Sequence, residues 1–235
     1  MGTQRRISTP SSIAVVHTSR WTRSISSSST VRRPTSITGQ AFEALQHLVD
    51  AGKIRYFGVS VEKVEEALKA IECQGVTSVK IIFNMLRHRP AELLFREVAA
   101  RGVAVVVRVP LASGLLSGKY NRSSTFTPDD HRNYNRHGDA FDVGETFSGL
   151  PYEVGLAAVE EIRSLVPEGW TMAQMALRWI LQFDAVSTVI PGAKSAEQAA
   201  ANAAAADLPP LDDATMDAIA DIYSRHARRH VHDRW

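Results

Sequence analysis

The chain has 235 residues, a formal net charge of +2 and 44% hydrophobic residues, which is enough for one α/β domain with a sizeable core. The near-neutral charge argues against nucleic acid or a membrane surface as a partner, and no apolar run is long enough to span a bilayer. A single cysteine, Cys73, excludes an internal disulfide framework and favours a reducing compartment. We therefore predict a cytoplasmic protein.

The first 40 residues differ in composition from the rest of the chain. They hold six arginines, ten serines and seven threonines, but no Asp, Glu or Lys. Three interpretations fit this head: an organelle transit peptide, a disordered tail, or translation out of frame. The third rests on the genetic code: one choice of codons for Ser24–Thr38, read one base earlier, encodes the residues DLVQLHCPPTDVYH. Only Ile13–Val16 predicts a strand in this head.

From Ala41 to about Arg225, the hydrophobic pattern predicts helices that alternate with strands. The predicted strands are Ile54–Ser60, Val79–Asn84, a strand from Val103 to Pro110, and Val186–Ile190. The first predicted helix begins at Ala41 and has Gly52 as its C-cap. The next ones are Val61–Ile71, Ala91–Ala100, Tyr152–Leu165, Met172–Leu181 and Ala196–Ala206. The last one starts near Asp212, with Asp213 and Thr215 as its candidate caps. This alternation predicts an α/β fold with a parallel sheet, either half of an eight-fold barrel or a small open sheet.

Two loops stand out in this pattern. The buried strand at Val103 runs into a small-residue loop that contains Ser113, Gly114 and Gly118, and such loops let a phosphate approach the backbone. Residues 121–150 are polar and lack periodicity, and a loop of this length is usually functional or mobile.

Four motifs carry a family resemblance. They are GKIRYFGVS (Gly52–Ser60), VPLASGLLSGK (Val109–Lys119), ALRWIL (Ala176–Leu181) and VIPGAKSAEQAAAN (Val189–Asn202). In this order and spacing they resemble the C-terminal half of the aldo-keto reductase family, over roughly Ala41–Tyr223. The resemblance implies a partial (β/α)8 TIM barrel, with its site at the carboxyl ends of the strands. It also implies NADPH-dependent reduction of aldehydes or ketones.

The resemblance assigns cofactor-binding roles to nine residues. They are Ser60 at the nicotinamide carboxamide, Leu111, Ser113 and Leu115 at the pyrophosphate, and Gly192, Lys194, Ser195, Gln198 and Asn202 at the adenosine end. A lysine suits the 2′-phosphate and no acid stands nearby, so the implied cofactor is NADP(H) rather than NAD. Three positions depart from the family pattern: Val61 and Lys80 replace amide side chains, and Arg108 replaces an aromatic ring that stacks on the nicotinamide.

The family's acid chemistry is not matched in this chain. Its members donate a proton from a Tyr, helped by Lys, Asp and His, and no residue here aligns with them; Thr30 stands where the shifted reading would supply the His. We expect no catalytic residue, an impaired reductase, and a partial barrel whose open strand edges favour self-association. The resulting domains are a head (1–40), a partial barrel (41–225) and a basic tail (226–235).

Two functional interpretations remain open. One is an oxidoreductase that acts on a small-molecule carbonyl substrate, and the other is a non-enzymatic protein that binds NADP or serves as an interaction domain. The histidines of the polar loop, His131 and His137, fit a solvated loop better than a metal site. The basic tail either covers the mouth of the substrate site or is a hydrated terminus, and Trp179 is predicted to pack in the core.

Overall fold

A computed structural model describes residues 40–235 in full and, before them, only the strands at 12–16 and 26–29. In chain order the elements are β1 (Ser12–Val16), β2 (Ser26–Ser29), α1 (Gln40–Asp50), β3 (Tyr56–Ser60), α2 (Val64–Ala70), β4 (Val76–Ile82), α3 (Leu94–Ala100), β5 (Ala104–Arg108), α4 (His131–Tyr134), α5 (Tyr152–Arg163), α6 (Met172–Leu181), β6 (Val186–Val189), α7 (Ala196–Ala204), α8 (Asp213–Ile222) and α9 (Arg228–Val231). None of the helices in these described ranges is both long and apolar enough to cross a membrane.

The six strands form one sheet in the order β2-β1-β3-β4-β5-β6. Strands β3 to β6 are parallel, with Ser60 opposite Lys80, Ile82 opposite Arg108 and Val107 opposite Val189. Their carboxyl ends therefore meet at one edge of the sheet. This arrangement confirms the predicted α/β fold of parallel strands alternating with helices.

The N-terminal strands add a feature that the sequence did not predict. β1 pairs antiparallel with both β2 and β3, so two antiparallel strands extend the parallel set. The strand predicted at Ile13–Val16 is confirmed as part of β1. The disordered, transit-peptide and out-of-frame interpretations concern the head, most of which lies outside the described residues.

The core lies mainly on one face of the parallel strands. Phe57, Val79, Val105 and Val107 are completely buried and share that face by register, whereas Ser78, Lys80, Ala104 and Val106 on the opposite face are only half-buried. Trp179 of α6 is 2% exposed and stacks on Phe83 with ring centroids 5.0 Å apart, so its predicted core position is confirmed.

Helix ends follow the local chemistry of the chain. Thr171 and Gln174 form a capping box at the start of α6, which satisfies backbone N–H groups of its first turn. The predicted caps of α8 were wrong: Asp212, not Asp213 or Thr215, is the N-cap, and its carboxylate accepts a hydrogen bond from the Thr215 backbone N–H at 2.8 Å.

Residues 121–150 form a packed segment rather than a structureless loop. It contains α4 and two 3-10 turns, Val143–Glu145 and Phe147–Gly149. The Phe147 ring is buried, and the amide of the buried Asn135 donates to the Thr146 hydroxyl at 3.1 Å. Asp130 and Asp142 start turns by accepting hydrogen bonds from the backbone two residues later. We call residues 142–149 the strap.

The C-terminal tail is anchored, so its interpretation as a hydrated terminus was wrong. Val231, His232 and Trp235 are buried. The ring of His232 pairs with the Tyr223 hydroxyl at 2.9 Å and approaches Glu92 at 3.1 Å. The tail therefore reaches back across the fold and packs against it.

Candidate active site at the carboxyl ends of the strands

The loop after β5 holds an unusual backbone conformation. Val109, Ala112 and Ser113 all have positive φ angles, between 47° and 55°. Each costs on the order of 1–3 kcal/mol for a residue with a side chain, so the surrounding contacts must hold the loop in place. Gly114 follows with φ +97°, and a Cβ there would approach the Tyr120 ring to 2.8 Å, so only glycine fits.

The strap provides those contacts. The Ser113 hydroxyl donates to the Glu145 backbone carbonyl at 2.9 Å and accepts from the Phe147 N–H at 3.1 Å. Of the other two residues predicted in this loop, Leu115 is buried and Leu111 is half-buried against the core. Their side chains support the loop, and any contact with a ligand would come from their backbone.

The loop after β6 is open in comparison. Ser195 is the N-cap of α7 and accepts from the Gln198 N–H at 3.2 Å, while the Gln198 side chain accepts from the Lys194 N–H at 2.8 Å. The Asn202 amide donates to the Gly192 carbonyl at 3.3 Å. The structure therefore brings all five residues predicted at the adenosine end into one exposed cluster.

The two loops leave the same edge of the sheet. β5 and β6 are neighbours, and the Ile190 N–H continues the ladder by donating to the Val107 carbonyl at 2.9 Å. Ser60 ends β3 at the same edge, and its side chain is half-buried. All nine predicted cofactor residues thus follow, or end, strands whose carboxyl ends share one edge.

A buried cluster of charges lies at this edge and was missed from the sequence. Arg108, at the end of β5, donates to Glu62 at 2.7 Å and forms a second ion pair with Glu145 of the strap. Arg108 also donates to the Val61 carbonyl at 3.0 Å and is only 7% exposed. In this structure it is engaged by carboxylates, where the family resemblance had implied a group that stacks on a nicotinamide.

Burial dominates the titration of Glu62. Burial is the main cause that raises the pKa of this carboxyl to about 7; Arg108 opposes the rise and Glu145 adds to it. One Glu62 carboxylate oxygen and the Arg108 Nε have no hydrogen-bond partner. A carboxyl that holds a proton near neutrality beside a buried guanidinium is a common feature of functional sites.

Arg87 and the last residue of the chain complete the cluster. Arg87 is 3% exposed, donates to the Glu62 carbonyl at 2.9 Å, and lies 4.4 Å from the ring centroid of Trp235. The Trp235 indole donates to the Asp142 carboxylate at 2.9 Å. Gly149 lies so close to this indole that a Cβ would approach it to 2.5 Å. Trp235 therefore fixes both ends of the strap.

A local signal for part of this cluster is present in the sequence. Glu62 comes two residues after the end of β3, and Arg108 is the last residue of β5, positions where α/β proteins place functional groups. Glu145 and Asp142 lie in a polar segment where no periodicity distinguishes them. Across residues 40–235 and the two described N-terminal strands, no three His, Cys, Asp or Glu side chains converge as a metal site would require.

A parallel α/β sheet whose loops gather at the carboxyl ends of its strands is the architecture of barrel-type α/β enzymes. Residues 20–224, which are most of the chain, match the model of the Aldo/keto reductase family. The protein belongs to this family, whose members bind NAD(P)H.

Curated relatives support this assignment. The chain is 32% identical over 162 residues to L-glyceraldehyde 3-phosphate reductase of Escherichia coli (strain K12). This alignment covers 66% of this chain and 45% of that protein. It is 28% identical over 184 residues to a probable voltage-gated potassium channel subunit beta of Arabidopsis thaliana, covering 73% of this chain and 53% of that one. The chain thus spans about half the length of these relatives.

Solved structures agree on the fold. The glycerol dehydrogenase AKR11B4 of Gluconobacter oxydans aligns with a TM-score of 0.65 and 25% identity, over 82% of this chain and 56% of that one. The holo form of aldo-keto reductase AKR11C1 of Bacillus halodurans aligns with a TM-score of 0.59 and 26% identity, over 78% and 55%. These proteins are (β/α)8 barrels, to which the sheet described here corresponds in part.

Proposed function

We propose that the loops after β5 and β6 bind NADP(H), and that the protein is a reductase of aldehydes or ketones whose 235-residue chain turns over poorly by itself. The observation that carries the cofactor proposal is the cluster at the start of α7. Lys194, Ser195, Gln198 and Asn202 meet there on an exposed surface, and among the described residues Lys194 has no ion-pair partner. A yeast relative is named for NADP(+), Aldo-keto reductase yakc of Schizosaccharomyces pombe.

The residues present fit a dinucleotide phosphate. A Cβ on Gly192 would meet no atom within 4 Å, so the backbone at Gly192 is open to a ligand. The lysine ammonium supplies a positive charge for a 2′-phosphate, and the Asn202 amide can exchange its 3.3 Å bond to Gly192 for a bond to the adenine. Ser113 and the backbone of its loop face the pyrophosphate under this proposal, and Ser60 the carboxamide.

The bound nucleotide would supply the hydride for the reduction, and the protein must supply a proton and polarise the carbonyl oxygen. Arg108 and Glu62 are the charged groups at the strand ends, but Arg108 is already paired with two carboxylates. Because no residue aligns with the family's Tyr, Lys, Asp and His, we expect binding of the nucleotide with little turnover.

A titration with NADPH and NADH tests the cofactor proposal. We expect the fluorescence of NADPH to change at lower nucleotide concentration than that of NADH. Lys194→Gln should remove this preference, whereas Lys53→Gln, at the opposite end of the strands, should preserve it. Equal affinity for the two nucleotides, or an unchanged preference in Lys194→Gln, would contradict the proposal.

A second candidate is a non-enzymatic role as an interaction domain. β6 is the outermost strand of the sheet and has exposed Ser187 and Thr188, and α7 buries none of its residues. An uncharged edge strand of this kind invites pairing with another chain, including a second copy. Sedimentation equilibrium, together with absorbance after addition of NADPH and a generic aldehyde, separates the two candidates. Nucleotide binding by monomers, with slow turnover of the aldehyde, supports the enzyme, and self-association without nucleotide binding supports the interaction domain.

A further inference from the structure

A basic cavity lies between the polar segment 121–150 and the C-terminal tail, apart from the predicted cofactor loops. Its volume is about 460 Å³, within the range of about 300–1,000 Å³ that is usual for small-molecule sites. Arg136 and His137 line it from the polar segment, and His230 and Arg234 line it from the tail. We call this cavity the tail pocket.

The charge of the tail pocket is not balanced by the protein. Among the side chains that the structure describes, neither Arg136 nor Arg234 pairs with a carboxylate within 4.0 Å. Glu153 is the acid in the lining, and it already pairs with Arg122 at 3.3 Å. This contrasts with Arg108, whose charge is compensated by the carboxylates of Glu62 and Glu145. An anion would supply the missing charge in the tail pocket.

Both arginines are held in place by aromatic faces. The Arg136 guanidinium lies 5.0 Å from the Tyr152 ring centroid, and its Nε donates to the Arg132 carbonyl at 3.2 Å. The Arg234 guanidinium lies 4.6 Å from the Trp235 ring centroid, and Trp235 is itself buried. A guanidinium that stacks on a ring keeps the N–H groups at its edge free for a ligand. Because both side chains are already partly ordered, less conformational entropy is lost when a ligand binds.

The remaining wall of the tail pocket is apolar. Val143, Leu150, Pro151 and the Tyr152 ring form the apolar part of the lining, and Arg136 lies over the Tyr152 ring. A ligand that matches both walls has an oxyanion at one end and a short carbon body at the other. We infer that the tail pocket binds a small organic phosphate or carboxylate, with its oxyanion between Arg136 and Arg234.

This site is separate from the proposed nucleotide site, although the strap links the two. Val143 and Gly149 line the tail pocket, while between them Glu145 pairs with Arg108 and the Phe147 backbone N–H donates to Ser113. A ligand in the tail pocket therefore touches the segment that holds the β5 loop, without touching that loop. Binding in the tail pocket does not require a nucleotide.

Calorimetric titration of the 235-residue chain with glycerol 3-phosphate, in the absence of nucleotide, tests the inference. Glycerol serves as the uncharged match, and inorganic phosphate and glycerate separate a phosphate from a carboxylate preference. We expect glycerol 3-phosphate to bind and glycerol not to bind. Arg234→Gln should weaken binding about tenfold, since a charge-assisted hydrogen bond is lost, and Arg234→Lys should recover most of the affinity.

The controls separate the tail pocket from other basic surfaces. Arg96→Gln removes an exposed arginine of α3, remote from the tail pocket, and should leave the affinity unchanged. His137→Gln gives a second lining variant that makes no ring contact, should Arg234→Gln disturb the tail. Absence of glycerol 3-phosphate binding would overturn the inference. The inference would also be overturned if Arg234→Gln and His137→Gln both left glycerol 3-phosphate binding intact. It would be overturned as well if NADPH displaced glycerol 3-phosphate and Lys194→Gln abolished the binding of both.

Discussion

The loops after β5 and β6 leave neighbouring strands, yet they are held in opposite ways. The β5 loop has three residues other than glycine at positive φ, and the strap fixes it through the Ser113 hydroxyl. The β6 loop is exposed, and its hydrogen bonds are local ones between residues of the same cluster. The contrast suggests that the β5 side is organised before any ligand binds, whereas the β6 side offers free polar groups to a ligand.

The largest expected effect is on stability and comes from removing the buried ion pairs beside the β5 loop. Arg108→Ala should lower the free energy of unfolding by about 3–5 kcal/mol, because it leaves Glu62 and the strap carboxylate of Glu145 without their buried partner. Chemical denaturation measures this loss. Arg101→Ala removes an exposed pair with Glu97 and should cost less than about 1 kcal/mol. Equal losses in the two variants would mean that the buried cluster does not hold the β5 side together.

The next effect removes the anchor of the strap. Trp235→Ala should cost about 3 kcal/mol, because a buried indole that packs on Gly149 and Arg87 is lost. Trp235→Phe keeps most of the packing and loses the hydrogen bond to Asp142, so it should cost about 1 kcal/mol. Thermal denaturation compares the two. Hydrogen exchange of residues 142–149 should increase more in the Ala variant, and an unchanged strap would show that the tail does not anchor it.

A pH series sharpens the picture of the buried cluster. Burial raises the pKa of Glu62 from 4.5 to about 7, so the folded chain binds more protons than the unfolded chain within that window. Stability from this group is therefore full below pH 4.5 and declines as the pH rises through about 7, by roughly 3 kcal/mol. Glu62→Gln should remove this decline, as measured by denaturation at several pH values. A parallel decline in the variant would assign it to another group.

The smallest effect concerns the open side. Lys194→Gln should weaken NADPH binding by about 1–2 kcal/mol, the range expected for one exposed charge that meets a phosphate, and should leave stability unchanged. Fluorescence titration and denaturation provide the two readouts. A loss of stability in this variant would mean that the β6 loop is part of the structural core rather than a surface for a ligand.

Much of the fold could be predicted because its signals are local. The runs of branched apolar residues around Val79 and Val105 predicted buried strands, and the periodicity from Met172 to Leu181 predicted a helix with the observed bounds. The start of α8 was misplaced by one residue, since Asp212 and Asp213 have the same side chain and only the backbone geometry selects the cap.

The rest could not be predicted because it depends on distant contacts. Glu62 and Arg108 are 46 residues apart, and Arg108 and Glu145 are 37 residues apart, so no pattern within one element indicates their pairing. The polar composition around Asn135 suggested a structureless loop, yet its amide binds within the segment and Phe147 is buried. The motifs at Val109–Lys119 and Val189–Asn202 did indicate the shared edge, and the nucleotide assigned to it remains a prediction.

Hydrogen–deuterium exchange with and without NADPH tests the central claim most directly. If the loops after β5 and β6 form one nucleotide site, NADPH should slow exchange in both residues 111–118 and residues 192–202. The slowing should be larger in the exposed β6 loop, because its backbone is less protected before binding. Slower exchange in neither loop at saturating NADPH, or only in regions away from this edge of the sheet, would contradict the account.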